Sequence, residues 1–209
     1  MKSREFKIPR DPYCMGYKVY KKTMIEIKSG LTVLVGCNGA GKSTLLIHIK
    51  ELLKEEKIPF ISFNNLTDGG SNSKDHAGFI GDFVFLATAL ESSEGEEITL
   101  NLGKFAKKTG EFIRDNKNKE ELWILLDAAD SGLSVDNVID LKGLFNLIIK
   151  DKPDSDIYIL ISANEYELAR KEKCFDVQNG KYVTFSDYED YRNFVLETRK
   201  EKDRRKSVK

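Results

Sequence analysis

The residues best suited to chemistry stand together early in the chain. Gly36-Cys37-Asn38-Gly39-Ala40-Gly41-Lys42-Ser43 fits the pattern G-x-x-x-x-G-K-[ST]. Glycine lets the backbone curl so that successive N–H groups face one anion. A helix that begins at the lysine adds the partial positive charge of its N-terminus. In a loop of this kind Lys42 reaches the outer phosphates of a nucleotide, and the Ser43 hydroxyl ligates Mg²⁺. The flanks agree: Leu31 to Val35 reads as an apolar strand leading in, and Leu45 to Leu53 as a helix leading out. The cation also needs a carboxylate. Leu122-Trp123-Ile124-Leu125-Leu126-Asp127 places one at the C-terminal end of a buried strand, which emerges beside the loop in this topology. Ser43 and Asp127 are therefore the candidate metal residues, and Lys42 and Asp127 are candidate catalytic residues.

The elements that must position these groups are of two kinds. Leu31 to Val35, Phe60 to Phe63, Leu122 to Leu126 and Ile157 to Ile161 are short continuous apolar runs. Such runs suit strands buried on both faces, as in a parallel sheet. Ile98, Leu102, Phe105, Thr109 and Phe112 follow helical spacing, as do Leu141, Leu144, Phe145 and Ile148 after the capping residue Ser134. Strands alternating with helices give an α/β fold with a mostly parallel central sheet. Three short strands are expected before it, at Phe6 to Pro9, Gly16 to Tyr20 and Thr23 to Ile27, forming an N-terminal antiparallel patch. Asn64 to Ala77 is rich in Asn, Asp, Gly and Ser and reads as a loop. Asp187 to Phe194 interleaves aromatic and charged residues at helical spacing.

Composition narrows the classes. The chain has 209 residues, with 34 Lys plus Arg against 34 Asp plus Glu, and 40% of its residues are hydrophobic. That is enough apolar material for a core, and the neutral balance argues against a chain-wide coat of nucleic acid. No apolar run reaches the ~20 residues of a spanning helix. No h-region follows the N-terminus, and no Cys-x-x-Cys occurs among Cys14, Cys37 and Cys174. The expectation is a reduced, soluble, cytoplasmic protein with no membrane segment of its own. The charge is uneven: Arg199 to Lys209 holds seven basic and two acidic side chains.

The longer string Gly-x-Asn-Gly-x-Gly-Lys-Ser-Thr, residues 36 to 44, resembles the ABC-type ATPases, including their SMC- and RecF-like branch. The likeness runs from about Lys18 to Phe185. It implies a P-loop NTPase: one ABC-type domain over 1–209, with a small helical lobe at about 66–116 and a basic C-terminal helix or tail at about 187–209. It implies ATP and Mg²⁺ as cofactors, with Gly36, Asn38, Gly39, Ala40, Gly41, Lys42, Ser43 and Thr44 around the phosphates. The family's L-S-G-G-Q signature stands where this chain has Ser92-Ser93-Glu94-Gly95-Glu96. Ser93 and Gly95 match it, Glu96 stands at the Gln position, and Ser92 and Glu94 depart. Asp130-Ser131-Gly132-Leu133-Ser134 resembles the loop that crosses to a partner subunit. For the adenine-contacting aromatic, Tyr13, Tyr17 and Tyr20 are the candidates. Tyr17, twenty-five residues before Lys42, has the familiar spacing.

Two hydrolytic residues of the family are missing. Ala128 stands where the water-activating Glu is usual, and Asn164, by that resemblance a third candidate catalytic residue, where the switch His is usual. General-base help is worth roughly 10²- to 10⁴-fold. The expectation is a chain that binds MgATP and hydrolyses it weakly, or by a rewired route in which Asp130 or Glu96 positions water. The family's Q-loop glutamine is absent too, with Asn64, Asn65 and Asp68 as substitutes and Asp68 first among them. One loop and one signature per chain imply an ATP-dependent homodimer with two nucleotides between subunits. Only 48 residues separate Thr44 from Ser93, so a long coiled-coil insert is not expected. The function implied is a nucleotide-dependent switch, with DNA or a protein as partner. The alternatives are the nucleotide-binding subunit of a transporter and a non-catalytic ATP-dependent interaction module.

Overall fold

The structure, a computed structural model, describes residues 2–14, 16–64, 94–131, 133–150 and 155–207. Along 94–102 it describes the backbone alone. Eight strands and five helices are seen among the described residues. The strands are β1 (Ser3–Lys7), β2 (Met24–Lys28), β3 (Gly30–Val35), β4 (Phe60–Asn64), β5 (Glu121–Asp127), β6 (Asp156–Ser162), β7 (Lys173–Asp176) and β8 (Lys181–Val183). The helices are α1 (Lys42–Glu55), α2 (Glu94–Asp115), α3 (Val135–Lys150), α4 (Tyr166–Ala169) and α5 (Tyr188–Ser207).

The main sheet has six strands in the order β4-β5-β6-β3-β7-β8. All neighbours are parallel except β7 and β8. The four continuous apolar runs are strands of this sheet, as expected. Leu31 to Val35, Leu122 to Leu126 and Ile157 to Ile161 are buried on both faces because each face is covered, whereas the edge strand β4 fully buries only Phe63. On one face, α1 and the β1–β2 pair pack on Leu34, Leu125, Tyr158 and Leu160. Trp123 stacks on Tyr158 there at 4.2 Å between centroids, and Phe6 meets Trp123 edge-on at 5.2 Å. On the other face, Val138, Leu141 and Phe145 of α3 pack on Val33, Ile124 and Ile159. The sheet register places the C-terminal ends of β3, β5 and β6 side by side.

The antiparallel patch has two strands, not three. Phe6 pairs with Ile25, and Lys7 with Met24, so both strands lie within a few residues of where they were expected. Residues 16–20 form no strand. Gly16 turns at φ 78°, its N–H donating to the Asp11 carboxylate at 2.7 Å. Val19 and Tyr20 are consecutive and both buried, yet they pair with no neighbouring strand among the described residues. Their N–H groups both donate to Arg10 O, at 2.8 and 3.2 Å. The segment is an irregular strap that lays Val19 and Tyr20 against the core.

Of the expected helical lobe, α2 is described, and it covers the helix predicted there. The loop from Asn65 to Ala77 lies outside the described residues, and Asn64 ends β4. The aromatic–charged segment after β8 is the first part of α5. Its start is capped by Asp187, whose carboxylate accepts the Asp190 N–H at 2.9 Å. Arg204, Arg205 and Lys206 lie in its last turn, where the helix dipole favours cations.

Candidate functional site

The glycine-rich loop joins β3 to α1 at the C-terminal edge of the sheet. Lys42 is the first residue of α1, and Gly41 before it has φ 97°. That left-handed conformation favours glycine, and so does the packing. A Cβ on Gly41 would lie 2.8 Å from Val19 and 2.9 Å from Tyr20. The Tyr20 hydroxyl donates to Gly41 O at 2.7 Å from below. Gly39, at φ 73°, makes the second left-handed turn. Leu45 N–H donates to Gly41 O, so the N–H groups of Lys42, Ser43 and Thr44 precede the first turn's hydrogen bond.

Lys42 is 8% exposed, and its ammonium lies back along the loop. Nζ donates to Gly36 O at 2.9 Å and to Cys37 O at 3.4 Å. Burial holds its pKa below the ordinary lysine value, against the opposing pull of Cys37, Asp130 and Asp127. A phosphate in the loop would relieve that penalty by supplying the missing countercharge.

Ser43 and Asp127, eighty-four residues apart, meet: the Ser43 hydroxyl donates to Asp127 Oδ1 at 3.0 Å. Two further side chains join them. The Ser162 hydroxyl donates to the same oxygen at 2.5 Å, and Asn64 Nδ2 stands 3.5 Å from Oδ2. Ser162 in turn accepts the Ala128 N–H at 2.8 Å. A cavity of about 230 Å³ opens beside Ser43, Asn64 and Asp127. No group of three or more His, Cys, Asp or Glu suited to a metal occurs among the described residues. Mg²⁺ does not require one, since it keeps several waters and is bound through one or two carboxylates plus phosphate oxygens. One hydroxyl, one carboxylate and a loop of N–H donors fit that ion with a polyphosphate.

The position after Asp127 is unusual. Ala128 has φ 51°, in the left-handed region that a Cβ disfavours. Asp130, two residues on, is 2% exposed and turned inward. Its Oδ2 accepts the N–H groups of Asn164 and Glu165, each at 2.6 Å. Its Oδ1 is buried without a partner among the described residues. Asp130 thus fixes the turn that carries Asn164. Tyr191 closes the same turn from α5, donating to Asn164 O at 2.9 Å. Burial, with Asp130 second, raises the pKa of the Tyr191 hydroxyl.

The three tyrosines go to three places. Tyr13 is exposed, and its hydroxyl is hydrogen-bonded to that of Thr44. Tyr20 is buried under Gly41. Tyr17 is half-buried beside α5, with Lys206 Nζ 5.8 Å from its ring centre. Of the signature residues, Ser93 lies outside the described residues, while Gly95 and Glu96 are in the first turn of α2. Asn65 and Asp68 also lie outside them, whereas Asn64 reaches Asp127.

Sequence reasoning missed two contributors. Ser162 gave no motif signal; only its strand-end position, paired with Leu34 of β3, could have pointed to it. Helix α5, which no motif marks, grips the loop. Cys37 N–H donates to the buried Thr198 Oγ1 at 3.1 Å, and Lys202 Nζ donates to Asn38 O at 2.8 Å.

No protein-family model matches this chain, and no curated protein matches it.

Proposed function

We propose that this chain is an ABC-type ATPase, similar to the SMC- and RecF-like branch, that binds MgATP on the loop 36–44 and acts as a nucleotide-dependent switch. The observation that carries the reading is the 3.0 Å contact between Ser43 and Asp127 at the mouth of a glycine-rich loop whose lysine is held ready behind it. Lys42 leaves its carbonyl partners for the β- and γ-phosphates. The N–H groups of the loop and first turn of α1 hold phosphate oxygens. Ser43 and Asp127 would hold Mg²⁺, which would supply charge neutralisation for the phosphates. Asn64 and Ser162 hold the Asp127 carboxylate in place.

Hydrolysis is slow in this reading. Ala128 has no carboxylate, and Asp130 is spent on the Asn164 turn. ATP therefore serves to join two copies, each giving its loop to one nucleotide and its Ser93, Gly95 and Glu96 to the other. ADP lacks the terminal phosphate that bridges them and releases the pair.

A second reading concerns the partner. A cleft of about 680 Å³ is lined by Arg10, Tyr17, Lys18, Lys21, Arg204 and Arg205. Five cations around one aromatic ring suit the phosphates and bases of a nucleic acid, which favours DNA over a protein partner. Against this, Glu201 neutralises part of the charge by pairing with Lys21 at 3.0 Å and Arg205 at 2.9 Å.

Calorimetric titration with ATP and Mg²⁺ tests the main reading. Binding is expected in the unaltered chain and lost by a factor of about 100 or more in Lys42→Ala, where a charge-assisted contact to phosphate is removed. Asp127→Ala is expected to remove the Mg²⁺ dependence of the affinity. An unaltered chain that gives no heat with ATP would sink the proposal.

A further inference from the structure

The glycine-rich loop has a second flank. On the side that faces Asn164 lies a cavity of about 420 Å³, walled by Gly36, Asn38, Asn164, Leu196, Arg199 and Lys202. α5 forms its outer wall, seated on the loop by the Thr198–Cys37 and Lys202–Asn38 hydrogen bonds. A Cβ built on Gly39 would lie 3.7 Å from Lys202 Nζ, so the ammonium rests against the crest of the loop.

Charge in this cavity is one-sided. An ammonium has three donors, and one of those on Lys202 goes to Asn38 O. The nearest carboxylate to it is Asp203, at 3.9 Å with a side chain 60% exposed, a weak pairing. Arg199 stands one helical turn before Lys202 on the same face of α5 and lines the same cavity. It forms no ion pair among the described residues. No acidic side chain lines the cavity among the described residues. Behind Asn164, Asp130 is buried and gives its Oδ2 to the N–H groups of Asn164 and Glu165.

A nucleotide held on the loop meets the N–H groups and Lys42 whether it carries two phosphates or three. Two cations beyond the crest matter most where a third phosphate extends toward them. Asn164, on the opposite wall, is uncharged and supplies no cation of its own. We infer that Lys202 and Arg199 of α5 bind the terminal phosphate of a nucleoside triphosphate from within the same chain, and so make the site selective for triphosphate over diphosphate. The inference rests on the nucleotide reading above and adds the residues that tell ATP from ADP.

The test is calorimetric titration of the full chain with MgATP and, separately, MgADP. Arg199 makes no hydrogen bond with the loop backbone among the described residues. Arg199→Ala is expected to weaken ATP about tenfold or more, as for a lost hydrogen bond between charged groups, while ADP affinity stays within about twofold. Lys202→Ala, which also loses its bond to Asn38 O, is expected to weaken ATP about tenfold more than it weakens ADP. Lys202→Arg keeps the charge and is expected to restore most of the ATP affinity. The unchanged ADP titration of Arg199→Ala also shows that this variant is folded, and the retained ADP binding of Lys202→Arg shows the same at position 202. Equal weakening of both nucleotides would make α5 a clamp on the loop and nothing more, and would overturn the inference. Unchanged affinities for both would overturn it as well. If the unaltered chain binds neither nucleotide, the nucleotide reading falls and this inference with it. If it binds both and the variants stay unselective, this inference falls alone.

Discussion

Ala128 holds the most telling backbone in the site. Its φ of 51° places an alanine where glycine is favoured, directly after the Asp127 carboxylate. The left-handed conformation costs a residue with a Cβ about 1–2 kcal/mol. Gly would relieve that cost, but would also gain about 0.4–1 kcal/mol of entropy in the unfolded chain. Ala128→Gly is therefore expected to stabilise the protein by a net of about 0.5–1 kcal/mol, measured by urea unfolding. A loss of stability would show that the conformation is not under strain. The conformation has a local support in the Ala128 N–H bond to Ser162. With the N–H filling one lone pair of Ser162, that hydroxyl turns its proton to Asp127. Strained residues with such outside support concentrate at functional sites. The loop residues and Asp127 were legible in the sequence because each belongs to a contiguous motif. Ser162 was not, because a serine at a strand end carries no pattern of its own and acquires its meaning from the strand beside it.

At the level of elements, hydrophobic patterning identified the parallel strands well. Leu122 to Leu126 is buried throughout, and so is Ile157 to Ile161, because helices cover both faces of the sheet. The same patterning misread residues 16–20. Val19 and Tyr20 are adjacent apolar residues that a local rule assigns to a strand, while the Asp11 turn and the shared Arg10 carbonyl bend them into a strap. Helix α5 was legible as a helix but not as part of the site. Its grip on the loop depends on Thr198, a residue with no helical preference to mark it. Thr198→Val keeps the shape and removes the acceptor for the buried Cys37 N–H. The expected cost is about 1–3 kcal/mol, the penalty for an unsatisfied buried donor. Thr198→Ser, which keeps the hydroxyl, is expected to recover most of it. Urea unfolding of the two variants side by side checks this, and equal stability would mean that the bond contributes nothing.

At the scale of the whole molecule, the neutral charge balance conceals an asymmetry. The cations of α5 line both the cleft beside Tyr17 and the cavity beside Asn38. The Tyr17 cleft and the loop are neighbours, since Lys202 and Arg205, three residues apart on α5, also share a small crevice with Gly39 and Tyr17. Among the described residues, no helix is long and apolar enough to cross a membrane. In the proposed function two copies close on ATP, a state that no single chain displays. Light scattering is expected to report a doubled mass with ATP and Mg²⁺, and a single-chain mass with ADP or without nucleotide. A single-chain mass under all three conditions would remove the homodimer from the proposal. The expected pairing of copies rests only on the resemblance of Ser93 and Gly95 to a family signature, because nothing in one chain's packing reports a second.

The bond between Cys37 and Thr198 joins positions 161 residues apart. That separation bears on how the protein is made. Synthesis runs from the N-terminus at about 5–20 residues per second. The glycine-rich loop and β3 are therefore in the cell for seconds before Thr198 and Lys202 emerge. Contacts so distant in sequence form late, because the chain must close a long loop before they return any stability. A growing chain can then carry the complete glycine-rich loop while the Cys37 N–H still lacks its partner. The clamp from α5 would be among the last parts of the site to set, which ties a finished site to the emergence of that helix.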